Sequence, residues 1–213
     1  MEAMDAAEVI RELREDRAEQ DVEERFRSRV ALVIAVLATL LAVASLGGGN
    51  VGEEVVNANI HASDTWAFYQ AKNIRQTSLN LAADEMEAML LASGASIGAE
   101  ARRDIEAKVA KYRATSARYD DEPDPDAPAD SLRGEGKKQL RARAASFEAR
   151  RDRAQEQDAN FDYASVLFQI AIVLGSVAIL ALSRPTLGVA LVLGGAATLL
   201  MLNGFLLAVH LPL

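Results

Sequence analysis

The sequence predicts an all-α integral membrane protein with three transmembrane helices and a helical bundle or coiled-coil domain between the first and second spans. Three observations predict it. Apolar runs at 30–46, 164–182 and 187–209 hold almost no charge, while 1–29 and 50–163 hold nearly all of it. Apolar residues within the charged stretches recur every seven positions, the period of supercoiled or bundled helices. Glycine and proline clusters at 47–50, 93–98 and 120–131 divide the charged middle into separate helical segments.

Composition narrows the function. A net charge of −8 argues against nucleic acid as a partner, because phosphate binding draws on excess Lys and Arg. With no Cys, disulfides, thiol catalysis and cysteine metal sites are excluded, and two His make a histidine-rich metal centre an unexpected feature. The first apolar run follows a stretch with ten acidic residues and no small-x-small cleavage site, so it reads as a retained anchor rather than a signal peptide.

Residues 1–29 form a charged N-terminal segment, helical over 4–28. Asp5 is the candidate N-cap, and Asp21–Arg25, Glu23–Arg27 and Arg11–Glu15 sit four apart, where opposite charges meet at about 0.2–0.5 kcal/mol per pair. Val9, Ile10, Leu13, Val22 and Phe26 are too sparse for a wide core face, leaving a solvated helix or a docking helix. Transmembrane helix 1, Val30–Leu46, has 17 residues, about 25 Å of helix against a hydrocarbon core of about 30 Å. Ala31, Ala35, Ala38, Ala42 and Ser45 align as a small-residue stripe. Helices in lipid associate by close backbone approach along such stripes, although an Ala-rich composition alone would also produce one. Gly47-Gly48-Gly49-Asn50 is expected to break the helix at the membrane surface.

The extramembrane domain, 50–163, opens with a long helix over 52–92, in which Ile60, Ala67, Ile74, Leu81 and Ala88 repeat every seven residues as the expected buried seam. Beside it lies SDTWAFYQAKNIRQ, Ser63–Gln76, holding the only Trp. Trp66, Tyr69, Asn73 and Gln76 share a face. Buried side chains of these types need hydrogen-bond partners, so the face predicts a specific polar helix–helix contact rather than a cofactor box, and no cofactor is expected.

Span one followed by this segment, and above all Trp66-Ala-Phe-Tyr-Gln-Ala-Lys72, resembles the bacterial membrane family catalogued as domain of unknown function 4337. The resemblance covers the first span, the long helix and the paired C-terminal spans. It implies a membrane location and a helical middle region, and it implies no activity.

Ser93–Gly98 marks a break, and helix resumes over 99–119 with Ile105, Val109, Tyr112, Ser116 and Tyr119 on one face. Asp120–Ser131, DDEPDPDAPADS, is an acidic loop, since Pro123, Pro125 and Pro128 remove donors and push their neighbours to extended forms. Its spacing fits no EF-hand, so it reads as solvated. A last helix over 132–163 repeats Leu140, Phe147, Ala154 and Phe161 at seven and runs into transmembrane helix 2, 164–182. Helix length requires a turn near Gly94 for the chain to return to the membrane. Ser183-Arg184-Pro185-Thr186 is a tight turn, and transmembrane helix 3 follows at 187–209. Ala171 and Gly175 in span two, with Ala190, Gly194 and Thr198 in span three, predict an antiparallel hairpin packed along small residues.

Basic residues orient the spans, cytoplasmic flanks being richer in Lys and Arg. Arg17, Arg25, Arg27 and Arg29 precede span one, Arg150, Arg151 and Arg153 precede span two, and Arg184 sits in the hairpin turn. An N-terminus inside gathers five of these on the cytoplasmic side against three outside. The expectation is a multi-pass protein of the bacterial inner (plasma) membrane with a cytoplasmic N-terminus.

No catalytic set emerges. His61 and Asp64 could share a face, but metal sites want more ligands, and the Gly residues near 47–52 lack the Lys of a phosphate loop. The leading expectation is a non-enzymatic scaffold or interaction module in the lipid bilayer. It would self-assemble as a homo-oligomer, or with another membrane protein, through its small-residue span and helical repeats. The alternative is an oligomeric pore or transport component with Gln169 and Asn203 facing a central path. An enzyme would rest only on the His61, Asp64, Trp66 and Tyr69 cluster.

Overall fold

The structure, a computed structural model, describes residues 2–210. Its elements are α1 (Glu2–Ser93), one 3₁₀ turn (Gly94–Ser96), α2 (Ala99–Asp120), α3 (Lys137–Ala181) and α4 (Arg184–Leu206). They form two compact units, Met1–Glu53 with Ala154–Leu213, and Glu54–Arg153, with α1 and α3 each contributing to both. Three of the helices are long and apolar enough to cross a membrane.

The first departure from expectation is α1 itself, which passes through Gly47–Asn50 without interruption. The glycines serve packing instead of a turn. A Cβ on Gly47 would stand 2.7 Å from the Phe161 ring, and one on Gly48 would stand 3.2 Å from Phe161 Cβ. The same ring lies 3.0 Å from where a Cβ of Gly204 would sit, so Phe161 is a knob in a hole walled by glycines of α1 and α4. Each helical Gly costs about 1 kcal/mol of propensity, an amount that close packing around a buried Phe offsets. α1 also begins at Glu2, ahead of Asp5, and the Arg11–Glu15 pair lies outside the described side chains. The Glu23–Arg27 pair forms at 3.4 Å.

Around Phe161 the core of this unit gathers Leu37, Ala44, Ala164, Phe168, Ala171, Ala197 and Met201. Val30, Leu37 and Ala44 are the buried face of span one, seven residues apart. Ala31, Ala35, Ala38, Ala42 and Ser45 are all exposed, turned about 120° round the helix from that face. Two of the small residues of the C-terminal spans meet α1. Extra Cβ atoms on Gly175 and Gly194 would meet Ile34 and Leu37, at 2.9 and 2.6 Å. The hairpin therefore opens holes for the branched side chains of α1. Between α3 and α4, Leu182 takes φ 48° and Ser183 caps α4, its hydroxyl accepting from the Thr186 amide. Only 22–28% of each apolar span is buried within the chain, and Leu32, Val173, Val192 and Leu199 point outward. Such faces suit lipid far better than water.

In the unit Glu54–Arg153, α1, α2 and the first part of α3 pack around Ala58, Ala62, Ala83, Leu140 and Ala144. The turn at Gly94, φ 50°, reverses α1 into α2 where the sequence requires it. Leu140, Phe147, Ala154 and Phe161 on α3 face inward or are half-buried, and so are Ile105, Val109, Tyr112, Ser116 and Tyr119 on α2. The α1 seam is the exception. Ile60, Ile74 and Leu81 are 49%, 66% and 57% exposed, and Ala67 and Ala88 are exposed as well. The buried register is Ala58, Ala62, Lys72, Gln76 and Ala83, with Tyr69 half-buried beside it. Two residues' offset is about 200° around a helix, so the aliphatic row faces away from it.

α3 begins at Lys137, because the proline segment extends into a structured loop across 121–136. Pro123 and Gly134 form an antiparallel bridge, and Glu122 O accepts from the amides of Glu135 at 2.9 Å and Gly136 at 3.3 Å. Gly134 is obligatory there: its φ is 102°, and a Cβ would fall 2.3 Å from Glu122 O.

Candidate functional site

The polar contact expected from Trp66, Tyr69, Asn73 and Gln76 exists, and its centre is Lys72. On one face of α1, Trp66 Nε1 donates to Glu148 Oε1 of α3 at 2.8 Å, and Tyr69 packs edge-on to Trp66 with centroids 5.4 Å apart. Asn73 Oδ1 accepts from Lys137 Nζ at 3.2 Å. Gln76 Nε2 donates to Ser116 O at 2.9 Å and Asp120 Oδ2 at 2.7 Å on α2.

Lys72 is 4% exposed. Its ammonium donates to Glu122 Oε2 at 2.9 Å and to Glu135 O, with Glu135 Oε2 at 3.7 Å. The rings of Phe68 and Tyr119 lie 5.6 and 5.2 Å from Nζ. Burying an ammonium is tolerable only when charge and hydrogen bonds are returned to it, and here carboxylates, a carbonyl and two π faces return them. The arrangement holds a cation in place; it does not present a nucleophile or base to a substrate.

The acidic loop is solvated as expected, with Asp120, Asp121, Asp126 and Asp130 exposed, and it is also tied down on several sides. Arg143 donates from Nε to Leu132 O and from its terminal nitrogen to Gly134 O, at 2.8 and 2.7 Å. Arg133 pairs with Asp124 at 2.8 Å. Hydrogen bonds from Lys137 first and then Gln76 hold the Asp120 carboxyl below its usual range. Gln139 and then Lys138 do the same for Asp121. In the second half of α2, Arg113 bridges Asp84 and Glu87 of α1.

In the other unit, Asn160, 2% exposed, donates to Glu156 O at 2.7 Å and accepts from Asn203 Nδ2 at 3.0 Å. Asn203 also bonds Val209 in both directions, and Gln157 Nε2 donates to Gly204 O at 3.0 Å. The Gln157 amide thus satisfies a carbonyl that the end of α4 leaves orphaned, after Leu207 closes the helix in the left-handed conformation. Asn203 is therefore engaged within the chain, whereas Gln169 is exposed. His61 stacks on Phe147 at 5.2 Å, and among the described residues no group of three potential metal ligands converges.

Sequence reasoning found four residues of the clasp and missed Lys72, Glu148 and the knob at Phe161. Lys72 was detectable in principle, standing three residues after Tyr69 and four before Gln76, on the face they share.

Fold and sites together define an all-helical protein with three apolar helices able to span a membrane and a second, polar-clasped helical unit. The chain belongs to the family described as Domain of unknown function (DUF4337), whose model matches residues 26–207 and so includes Trp66–Lys72. Neither the curated proteins nor the solved structures contain a match.

Proposed function

We propose that this chain is a non-enzymatic membrane scaffold or interaction module that self-assembles through α1. The observation that carries the reading is the outward row Ile60, Ala67, Ile74, Leu81 and Ala88. Its seven-residue period is that of a helix–helix seam, yet α2 and α3 pack on the other side of α1. A second copy of the same row is the occupant that best matches this period, since equal repeats pair along their whole length. In span one of the same helix, Ala31, Ala35, Ala38, Ala42 and Ser45 are likewise outward, where a second α1 could approach closely. Gln169 adds an exposed amide within span two that gains from a partner in lipid.

On this reading the protein is a multi-pass protein of the bacterial inner membrane with a cytoplasmic N-terminus, and Glu54–Arg153 lies on the opposite side. Support comes from Arg25, Arg29 and Arg184, which line one cleft and so give the N-terminal flank and the hairpin turn a shared basic end. Mass photometry in detergent tests the assembly. Wild type is expected as an oligomer that the variant Ile74→Glu/Leu81→Glu disperses; a monomeric wild type overturns the reading. Protease access to tags at each end in inverted vesicles tests the sidedness.

A further inference from the structure

Between the start of span one and the turn joining α3 to α4 lies an open cleft of about 780 Å³, at the basic end of the three apolar helices. Its cationic lining is Arg25, Arg29 and Arg184, from two stretches of chain more than 150 residues apart in sequence. Its apolar lining includes Phe26, Leu182 and Leu187. Glu23, at the same cleft, is already engaged by Arg27 at 3.4 Å. Among the described residues none of the three cleft arginines has a carboxylate within ion-pair distance.

Three guanidiniums around one cleft repel one another and leave a concentrated positive field that an anion would neutralise. Arginine forks match phosphate oxygens in pairs. The aliphatic and aromatic walls beside them favour a ligand that joins a phosphate to hydrocarbon, and the positive N-terminal end of α4 adds to the attraction.

We propose that this cleft binds the phosphodiester headgroup of an anionic glycerophospholipid. Arg25, Arg29 and Arg184 hold the phosphate, and Phe26, Leu182 and Leu187 lie along the start of the acyl chains. The inference rests on the membrane reading above. Each basic residue near an anionic lipid surface contributes about fivefold in affinity, so the three together supply on the order of 100-fold.

The test uses the full chain purified in neutral detergent, with native mass spectrometry counting retained lipids as phosphatidylglycerol is titrated against phosphatidylcholine. Wild type is expected to retain phosphatidylglycerol selectively. The variant Arg25→Gln/Arg29→Gln/Arg184→Gln is expected to lose that selectivity, and Arg184→Gln alone to weaken it about fivefold while keeping the wild-type helical content. Loss of equal size in the control Arg17→Gln/Arg27→Gln, or no preference in wild type, overturns the proposal. Tight binding of inorganic phosphate or glycerol phosphate without any lipid preference overturns it too, by assigning the cleft to a soluble anion. Carbonate extraction of membranes that carry the full chain keeps the two readings apart. Release of wild type refutes membrane insertion, whereas retention of wild type without lipid selectivity refutes only the headgroup site.

Discussion

Lys72 shows how one side chain can organise a whole contact. Its charge is stabilised by Glu122 and by the carbonyl of Glu135, both on the loop joining α2 to α3. Lys72→Met keeps the stem and removes the charge, leaving the one-third-exposed Glu122 carboxylate with Arg118, at 3.4 Å, as its remaining cation. The expected loss is about 2 kcal/mol, less than for a fully buried pair because solvent still reaches Glu122. Adding Glu122→Gln should recover about half of it, and thermal unfolding followed by the emission of Trp66, the only Trp, measures both. Fully additive losses would show that the two side chains are not coupled. Trp66→Phe, followed by circular dichroism, removes the donor to Glu148 and should cost about 1.5 kcal/mol.

At the level of elements, the glycines of α1 divide by what lies opposite them. A Cβ on Gly47 would press on the Phe161 ring, whereas one on Gly49 meets nothing within 4 Å. Gly47→Ala should therefore destabilise the protein by about 1–3 kcal/mol through overpacking. Gly49→Ala should be neutral or stabilise α1 by up to about 1 kcal/mol through helix propensity. Detergent unfolding monitored by circular dichroism separates the two. If both substitutions stabilise, the glycines are not a packing device. The charged stretch, the first span and the long polar helix, read from sequence as three elements, are one helix for the same reason. A flexible exit and a closely packed helical face both ask for glycine, and only the position of Phe161 distinguishes them.

For the whole molecule, acid should act on one unit before the other. Asp120 and Asp121 have carboxyls held below the usual aspartate range of about 4 by their hydrogen-bond donors. A depressed folded pKa means the unfolded chain binds protons first. The stabilisation is thus complete above about pH 4 and is lost as pH falls through the lowered values. The clasp of Glu54–Arg153 should therefore loosen below about pH 4, shifting Trp66 emission to the red. The apolar unit, held by Leu37, Phe161, Phe168 and Met201, should keep its helical signal. Unchanged Trp66 emission down to pH 2.5 would show that these carboxylates do not hold the clasp.

By itself the sequence determined the helical class, the three apolar runs, the turns at Gly94 and Ser183, the face of α3 and the family. Each of these is local, or depends on a periodicity that neighbours do not change. Trp66, Tyr69, Asn73 and Gln76 were legible for a similar reason, because polar aromatics and amides on one helical face must find donors and acceptors. What only the tertiary structure decided is which face of α1 meets which partner. Hydrophobicity pointed to Ile60, Ile74 and Leu81 as the inner row, yet helices that approach closely select small residues and paired polar groups. Ala58, Ala62 and Ala83 with Lys72 and Gln76 therefore took the interior and left the larger row outside. The cleft of Arg25, Arg29 and Arg184 is equally a product of folding, since it depends on bringing the N-terminal flank to the turn between the last two helices.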